Sequence, residues 1–363
     1  MGRNGMMHHT GSDQSSNRDG RGGTLVDSGD FRVKISVRFL LGIYAIVPLC
    51  LLAMILDRLF GSGALSSILP DSPQNYFIFQ LLFGTPHIIA SSVILATNSG
   101  YFRTYRIRLA LLTILILLFF GLGSLVLSFD VFLAIVGSVT ILHVIKQQVG
   151  IGKGICRVSG WVYDAWGWTL VLFGSIMYFI IFTSYGISSD VRFWVHRILG
   201  MLAVIAFLLS VVCHSRCGTF KGRLYLWANT VMVLQSWLFY AEGYSFLAIL
   251  GPRLVHDLTA FTFYVAHDVN RHGTNPQNLL YRLVSKLGLG IFWVCPAMAV
   301  LLTYLIGRFI DPLAQLVTSV FGYNLPYTAS FLIVGYLGLL HYYTEAFTWQ
   351  SGSAYRQHVA LRP

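Results

Sequence analysis

The sequence predicts an all-α, polytopic integral membrane bundle of about ten helices, and three observations carry that expectation. Hydrophobic residues fill 55% of the 363 positions and charged residues only 11%, whereas soluble domains carry about a quarter charged residues. The apolar residues gather in runs close to the roughly 20 that cross a bilayer core as helix. Lysine and arginine collect in alternate loops, the asymmetry that orients membrane helices.

Residues 1–31 are rich in Gly, Ser, Asn and Asp and offer little to bury. They are expected to form a disordered cytoplasmic tail, and they lack the apolar stretch of a signal peptide. The apolar spans that follow cover 36–56, 74–96, 106–128, 129–147, 165–187, 193–213, 224–241, 244–267, 282–310 and 324–348. Together they make one transmembrane domain over 32–349, with 350–363 as a cytoplasmic C-terminal tail. The third and fourth spans meet in a tight turn at "SFD", and the seventh and eighth are parted by "AEGY". The long ninth span is expected to tilt or kink at Pro296, and segments 61–70 and 312–322 to lie at the interface.

Positive charge sets the orientation. Arg32, Lys34 and Arg38 precede the first span; Arg103, Arg106 and Arg108 follow the second; Lys146, Lys153 and Arg157 follow the fourth. Arg216, Lys221 and Arg223 follow the sixth, and Arg271, Arg282 and Lys286 the eighth. Both termini are therefore expected in the cytoplasm, in an inner or plasma membrane. The net charge of +11 reads as topology and contact with anionic lipid, not nucleic-acid binding. Five scattered cysteines without a C-x-x-C pair argue against a disulfide framework or a thiolate cluster. "GIGKG" at 150–154 lacks the spacing of a phosphate loop and no strand precedes it, so it is expected to be a cytoplasmic loop.

Ionisable residues inside spans are costly and tend to face a bundle interior, so the histidines carry the functional signal. His87 falls in the second span, His143 in the fourth, His256 and His267 in the eighth and His341 in the tenth, with His214 at the rim of the sixth. All four helices holding the five intramembrane histidines run toward the cytoplasm, which puts the site on that side. The chain has only two glutamates, Glu242 and Glu345, and Glu345 follows His341 by one helical turn, so both reach one ion. Asp257 and Asp268 each follow a histidine directly and point about 100° away from it, as orienting or proton-accepting groups, with Tyr264 beside them as a further catalytic candidate. His256 and His267 share a stripe because eleven residues are about three turns, yet they stand about 16 Å apart. The spacing leaves open which of them ligates. Span depth sets His267 beside His143, His341 and Glu345, and His256 beside His87. His196 and His358 are expected to be structural or solvated, and His272 to be either an interfacial residue or a ligand.

Imidazole and carboxylate without thiolate suit iron above copper, zinc or manganese. The expected cofactor is non-haem iron, one or two ions, working with O2 and an electron donor on a hydrophobic molecule from the lipid phase. Two classes compete: haem ligated by histidines of facing helices, and a proton- or metal-coupled transporter. Transporters are commonly built from two related halves, and no internal repeat is present.

An early helix with "PH" at His87 and a later "HD" at His256 or His267, with further histidines at His143 and His341, resembles the Brp/Blh family of membrane β-carotene oxygenases. More loosely it resembles the histidine-rich membrane desaturases and hydroxylases, although their H-x-x-x-H and H-x-x-H-H boxes are absent. The resemblance implies a non-haem iron centre held by helix histidines and oxidative attack on an alkene or alkyl chain.

Overall fold

The computed structural model describes residues 33–69, 80–183, 188–273, 276, 278–320, 322, 329–350 and 352–362. The expected N-terminal tail, with His8 and His9, lies outside them. The described chain is helical almost throughout. In order come α1 (Val37–Ile43), α2 (Ile46–Phe60), the short α3 (Ala64–Ile68), a π-helical turn at Gln80–Gly84, α4 (Thr85–Thr97), α5 (Ser99–Val126), α6 (Phe129–Cys156), α7 (Trp161–Thr183) and α8 (Ser189–Arg216). Then follow α9 (Phe220–Ala241), α10 (Ser245–His272), α11 (Leu279–Lys286), α12 (Val294–Val320) and α13 (Ala329–Thr348).

Among the described residues, six helical segments are long and apolar enough to cross a membrane: Val37–Phe60, Ser99–Gly123, Ala134–Cys156, Trp161–Thr183, Ser189–Arg216 and Ile291–Val320. Their outer faces are greasy. Leu111, Ile114, Leu115, Leu118 and Leu122 stand exposed along α5, and Val204, Phe207, Leu208 and Val211 along α8. Such continuous apolar surface is foreign to a soluble monomer and suits lipid. α10 is different: it carries Arg253, His256, Asp257, His267 and Asp268, all buried, and α4, α9, α2, α6 and α12 pack around it. A polar helix survives at the centre of a greasy bundle because its neighbours supply the partners that hydrocarbon cannot.

Small residues let helices approach. A Cβ on Gly174 of α7 would lie 2.8 Å from Ile141 Cγ2 of α6, so glycine permits that close crossing. Buried polar side chains bind other helices together. The Tyr44 hydroxyl is 3.0 Å from Gln148 Oε1 and 2.9 Å from Asn229 Oδ1, the Tyr225 hydroxyl donates to Gln148 Oε1 at 2.5 Å, and Trp166 Nε1 donates to Thr230 Oγ1 at 3.1 Å.

Several boundary expectations need correction. The ninth span divides into the short α11 and the long α12. Pro296 sits in the first turn of α12, where no helical hydrogen bond is lost, so it makes no mid-helix kink. Segment 312–320 continues α12 through Pro312 and is not a separate interfacial piece. "GIGKG" is not a loop but the last part of α6. Among the described residues of 350–363, Tyr355 and Val359 are buried, and a β2 strand at Leu361–Arg362 pairs in parallel with β1 at Ile35–Ser36. That pairing brings the two ends of the described chain together.

Candidate metal centre

Four helices each contribute to one buried cluster. His87 comes from the first turn of α4, where Pro86 is tolerated because that turn has no intrahelical N–H bond to lose. His143 comes from α6, His256 from α10, and His341 with Glu345 from one face of α13. The ring centroids of His87 and His256 are 5.0 Å apart, His87 and His341 5.1 Å, His143 and His256 5.1 Å, and His143 and His341 4.8 Å. One ligand atom each from His87, His256 and His341 lie within 4.8 Å of one another, as do those of His143, His341 and Glu345. His87, His256 and His341 have no exposed surface, and His143 and Glu345 almost none.

The partners on the far side of each ring fix its proton. His256 Nδ1 is 2.8 Å from Gln147 Oε1, and an amide oxygen only accepts, so Nδ1 carries the hydrogen. His341 Nδ1 is 2.9 Å from Ser91 Oγ, whose own hydrogen goes to the Ile88 carbonyl, so Nδ1 again donates. His87 Nδ1 lies 3.1 Å from Asp257 Oδ1, an ion-pair contact between two fully buried side chains. In the His256 and His341 rings Nε2 is left as a lone pair, the state a metal ligand needs. The Nε2 atoms of His143, His256 and His341 are buried with no hydrogen-bond partner among the described residues. Buried imidazole nitrogens without partners are costly, and a metal ion would satisfy them together. The donor set therefore fits a divalent cation.

Glu345 is held from two sides. Tyr264 donates to its Oε1, Gln147 Nε2 donates to Oε2 at 3.0 Å, and His143 Nε2 stands 3.4 Å from Oε2. Gln147 thus orients both His256 and Glu345. The His143 ring stacks on Tyr342 at 4.6 Å, and the Tyr342 hydroxyl is 3.0 Å from Thr140 Oγ1. Asp257 is balanced by Arg253, whose Nε lies 3.3 Å from Oδ1 and whose Nη2 donates to the Gly84 carbonyl at 2.9 Å.

The expected grouping of His267 and Asp268 with this cluster is corrected. His267 uses both nitrogens elsewhere: Nε2 is 2.8 Å from the Tyr101 hydroxyl and Nδ1 3.0 Å from Asp268 Oδ1. Its ring stacks on Tyr355 at 4.4 Å. Asp268 in turn accepts from the Tyr281 hydroxyl at 2.5 Å. The misplacement has a physical cause. Span 129–147 left His143 four residues from its exit, but α6 runs to Cys156, thirteen residues beyond, or about 20 Å. His143 therefore sits level with His256, three turns deeper than His267. His214 and His196 accept hydrogen bonds from Trp227 and Trp237, in keeping with structural roles, and His272 is buried against Tyr281 at 3.9 Å.

Three contributors were missed in the sequence. Arg253 had a signal, being an intramembrane cation four residues before Asp257. Gln147 had a weaker one, as a polar residue one turn after His143. Ser91 had none. No protein-family model, no curated protein and no solved structure matches the chain.

Proposed function

We propose that the protein is a membrane-embedded, metal-dependent oxidoreductase with one non-haem iron, acting on a hydrophobic substrate from the lipid phase. The observation that carries this reading is the convergence of four imidazoles and one carboxylate, with the Nε2 atoms of His256 and His341 buried without a hydrogen-bond partner among the described residues. The protein residues that would hold the ion are His87, His143, His256, His341 and Glu345. A bound iron would supply redox chemistry toward O2 and an alkyl or alkene group, with an external reductant where the electron count requires one. Since Nδ1 of His341 is committed to Ser91, that ring has one nitrogen to give, which supports one ion over an imidazolate-bridged pair.

The chain's own residues do the rest. Asp257, Gln147 and Ser91 orient three rings and keep their lone pairs inward, Tyr264 steadies Glu345, and apolar packing excludes water. Of the five ligand candidates, only His143 and Glu345 border the large cavity, so substrate is expected to approach from their side. Haem fits less well, because the imidazoles pack edge to face at 4.8–5.1 Å with no slot for a porphyrin between them.

Absorption spectra and elemental analysis of detergent-purified protein test the reading. About one iron per chain without an intense Soret band is expected. A Soret band, or a chain that holds no metal after growth in iron-replete medium, would overturn it.

A further inference from the structure

A cavity of about 580 Å³ opens beside the metal-ligand cluster. α6 lines it lengthwise, with Val139, His143, Lys146, Gly150 and Gly154 recurring every three to four residues, a stripe about 22 Å long at 1.5 Å per residue. A Cβ on Gly150 or Gly154 would meet nothing within 4 Å. The "GIGKG" sequence thus gives α6 a smooth wall and keeps the groove wide where it leads away from His143. Across from it stand Phe263, Tyr342, Ala346 and Trp349, so most of the wall is apolar.

Charge is distributed unevenly along this wall. Glu345 is the sole carboxylate lining it among the described residues, and its oxygens already accept from Tyr264 and Gln147. Two cations line it as well, Lys146 and Arg356. Neither belongs to an ion pair among the described residues. Lys146 Nζ rests 3.7 Å above the Trp168 ring, and Arg356 Nη1 donates to the Val359 carbonyl at 3.0 Å. Both cations are part-buried on a mostly apolar wall, where pairing with an anion gains more than it would in open water.

We propose that this cavity binds a single-chain amphiphile with an anionic head, a long-chain carboxylate. Lys146 and Arg356 hold the head, and the chain lies along the Gly150 and Gly154 groove against the His143 and Glu345 wall. The volume falls within the range of sites that enclose one small molecule, and an anionic head gives both cations a charge partner that a neutral chain lacks. The proposal deepens the oxidoreductase reading by naming its substrate class, and it rests on that reading for the chemistry but not for the binding.

The test uses the full chain in phosphatidylcholine nanodiscs, both iron-loaded and chelator-treated, with equilibrium binding of hexadecanoate and of hexadecanol. Hexadecanoate is expected to bind at least about tenfold tighter than the alcohol. The double variant K146Q/R356Q should abolish that preference, R356K should retain it, and Gly150→Leu should weaken both ligands by filling the groove. Equal affinities in the parent, or a preference that survives the double variant, would overturn the proposal. Displacement of hexadecanoate by phosphatidic acid at equal concentration would also overturn it, by making the site one for a lipid headgroup. The preference in a chain that takes up no iron even when loaded sinks only the oxidoreductase reading, whereas bound iron without any preference sinks only this one.

Discussion

His87 Nδ1 of α4 stands 3.1 Å from Asp257 Oδ1 of α10, and neither side chain has any exposed surface. The carboxylate is also 3.3 Å from Arg253 Nε, so a cation, an anion and an imidazole follow one another toward the cluster inside an apolar bundle. A buried carboxylate in this place both fixes the ring and raises its basicity toward a metal. Asp257→Asn should therefore lower metal affinity by about 10- to 100-fold, while Asp268→Asn, which touches His267 and Tyr281 instead, should leave it unchanged. Titration of iron into stripped protein separates the two; equal affinities in both variants would remove Asp257 from its role.

The two histidines of the α10 stripe should part company on substitution. His256→Ala deletes a nitrogen of the cluster and should empty most of the site. His267→Ala should keep its iron but lose about 1–3 kcal/mol of stability, the cost of leaving buried partners such as Tyr101 and Asp268 unsatisfied. Metal content and melting temperature measured on the same preparations check both halves. Loss of iron from the His267 variant in a folded protein would restore it as a ligand.

Glu345→Gln preserves size and removes charge. One amide oxygen cannot serve both the Tyr264 hydroxyl and the Gln147 amide as the two carboxylate oxygens do. Metal affinity is expected to fall about tenfold or more with the fold retained. Because ion binding stabilises the state that binds it, chelation should lower the melting temperature of the parent and move that of the variant much less. A variant with full iron and an unchanged response to chelator would exclude the carboxylate from the ligand set.

His358 follows α13 and should make stability sensitive to mild acid. Burial, aided by His267, Arg271 and His272, pushes its pKa down from 6.5 to about 4, and Arg271 Nη1 donates to its Nε2 at 3.1 Å. Between those two values the unfolded chain binds a proton that the folded chain refuses, so stability falls as pH drops from about 6.5 to about 4. Below that both states are protonated and this group adds no further loss. Melting curves of the parent and of His358→Asn across that window should converge on acidification, with the parent losing more; parallel curves would show that the group does not titrate as stated.

The sequence by itself determined the all-α membrane class, because apolar runs near bilayer length and a charge content of 11% leave a chain no other way to satisfy its backbone in lipid. It also singled out His87, His143, His256, His267, His341 and Glu345, since an ionisable residue inside a greasy run is rare enough to be visible without a fold. Tertiary structure alone decided which of these meet. Hydropathy ends a span where polarity begins, but α6 continues as helix through "GIGKG" to Cys156, and those extra turns move His143 down to His256 and away from His267. The role of Ser91 was out of reach, for a serine in an apolar helix looks the same in sequence whether it only bonds its own turn or also accepts from an imidazole 250 residues away. Depth along a helix is a local property and can be counted, whereas which faces turn toward one another depends on how all the helices pack at once.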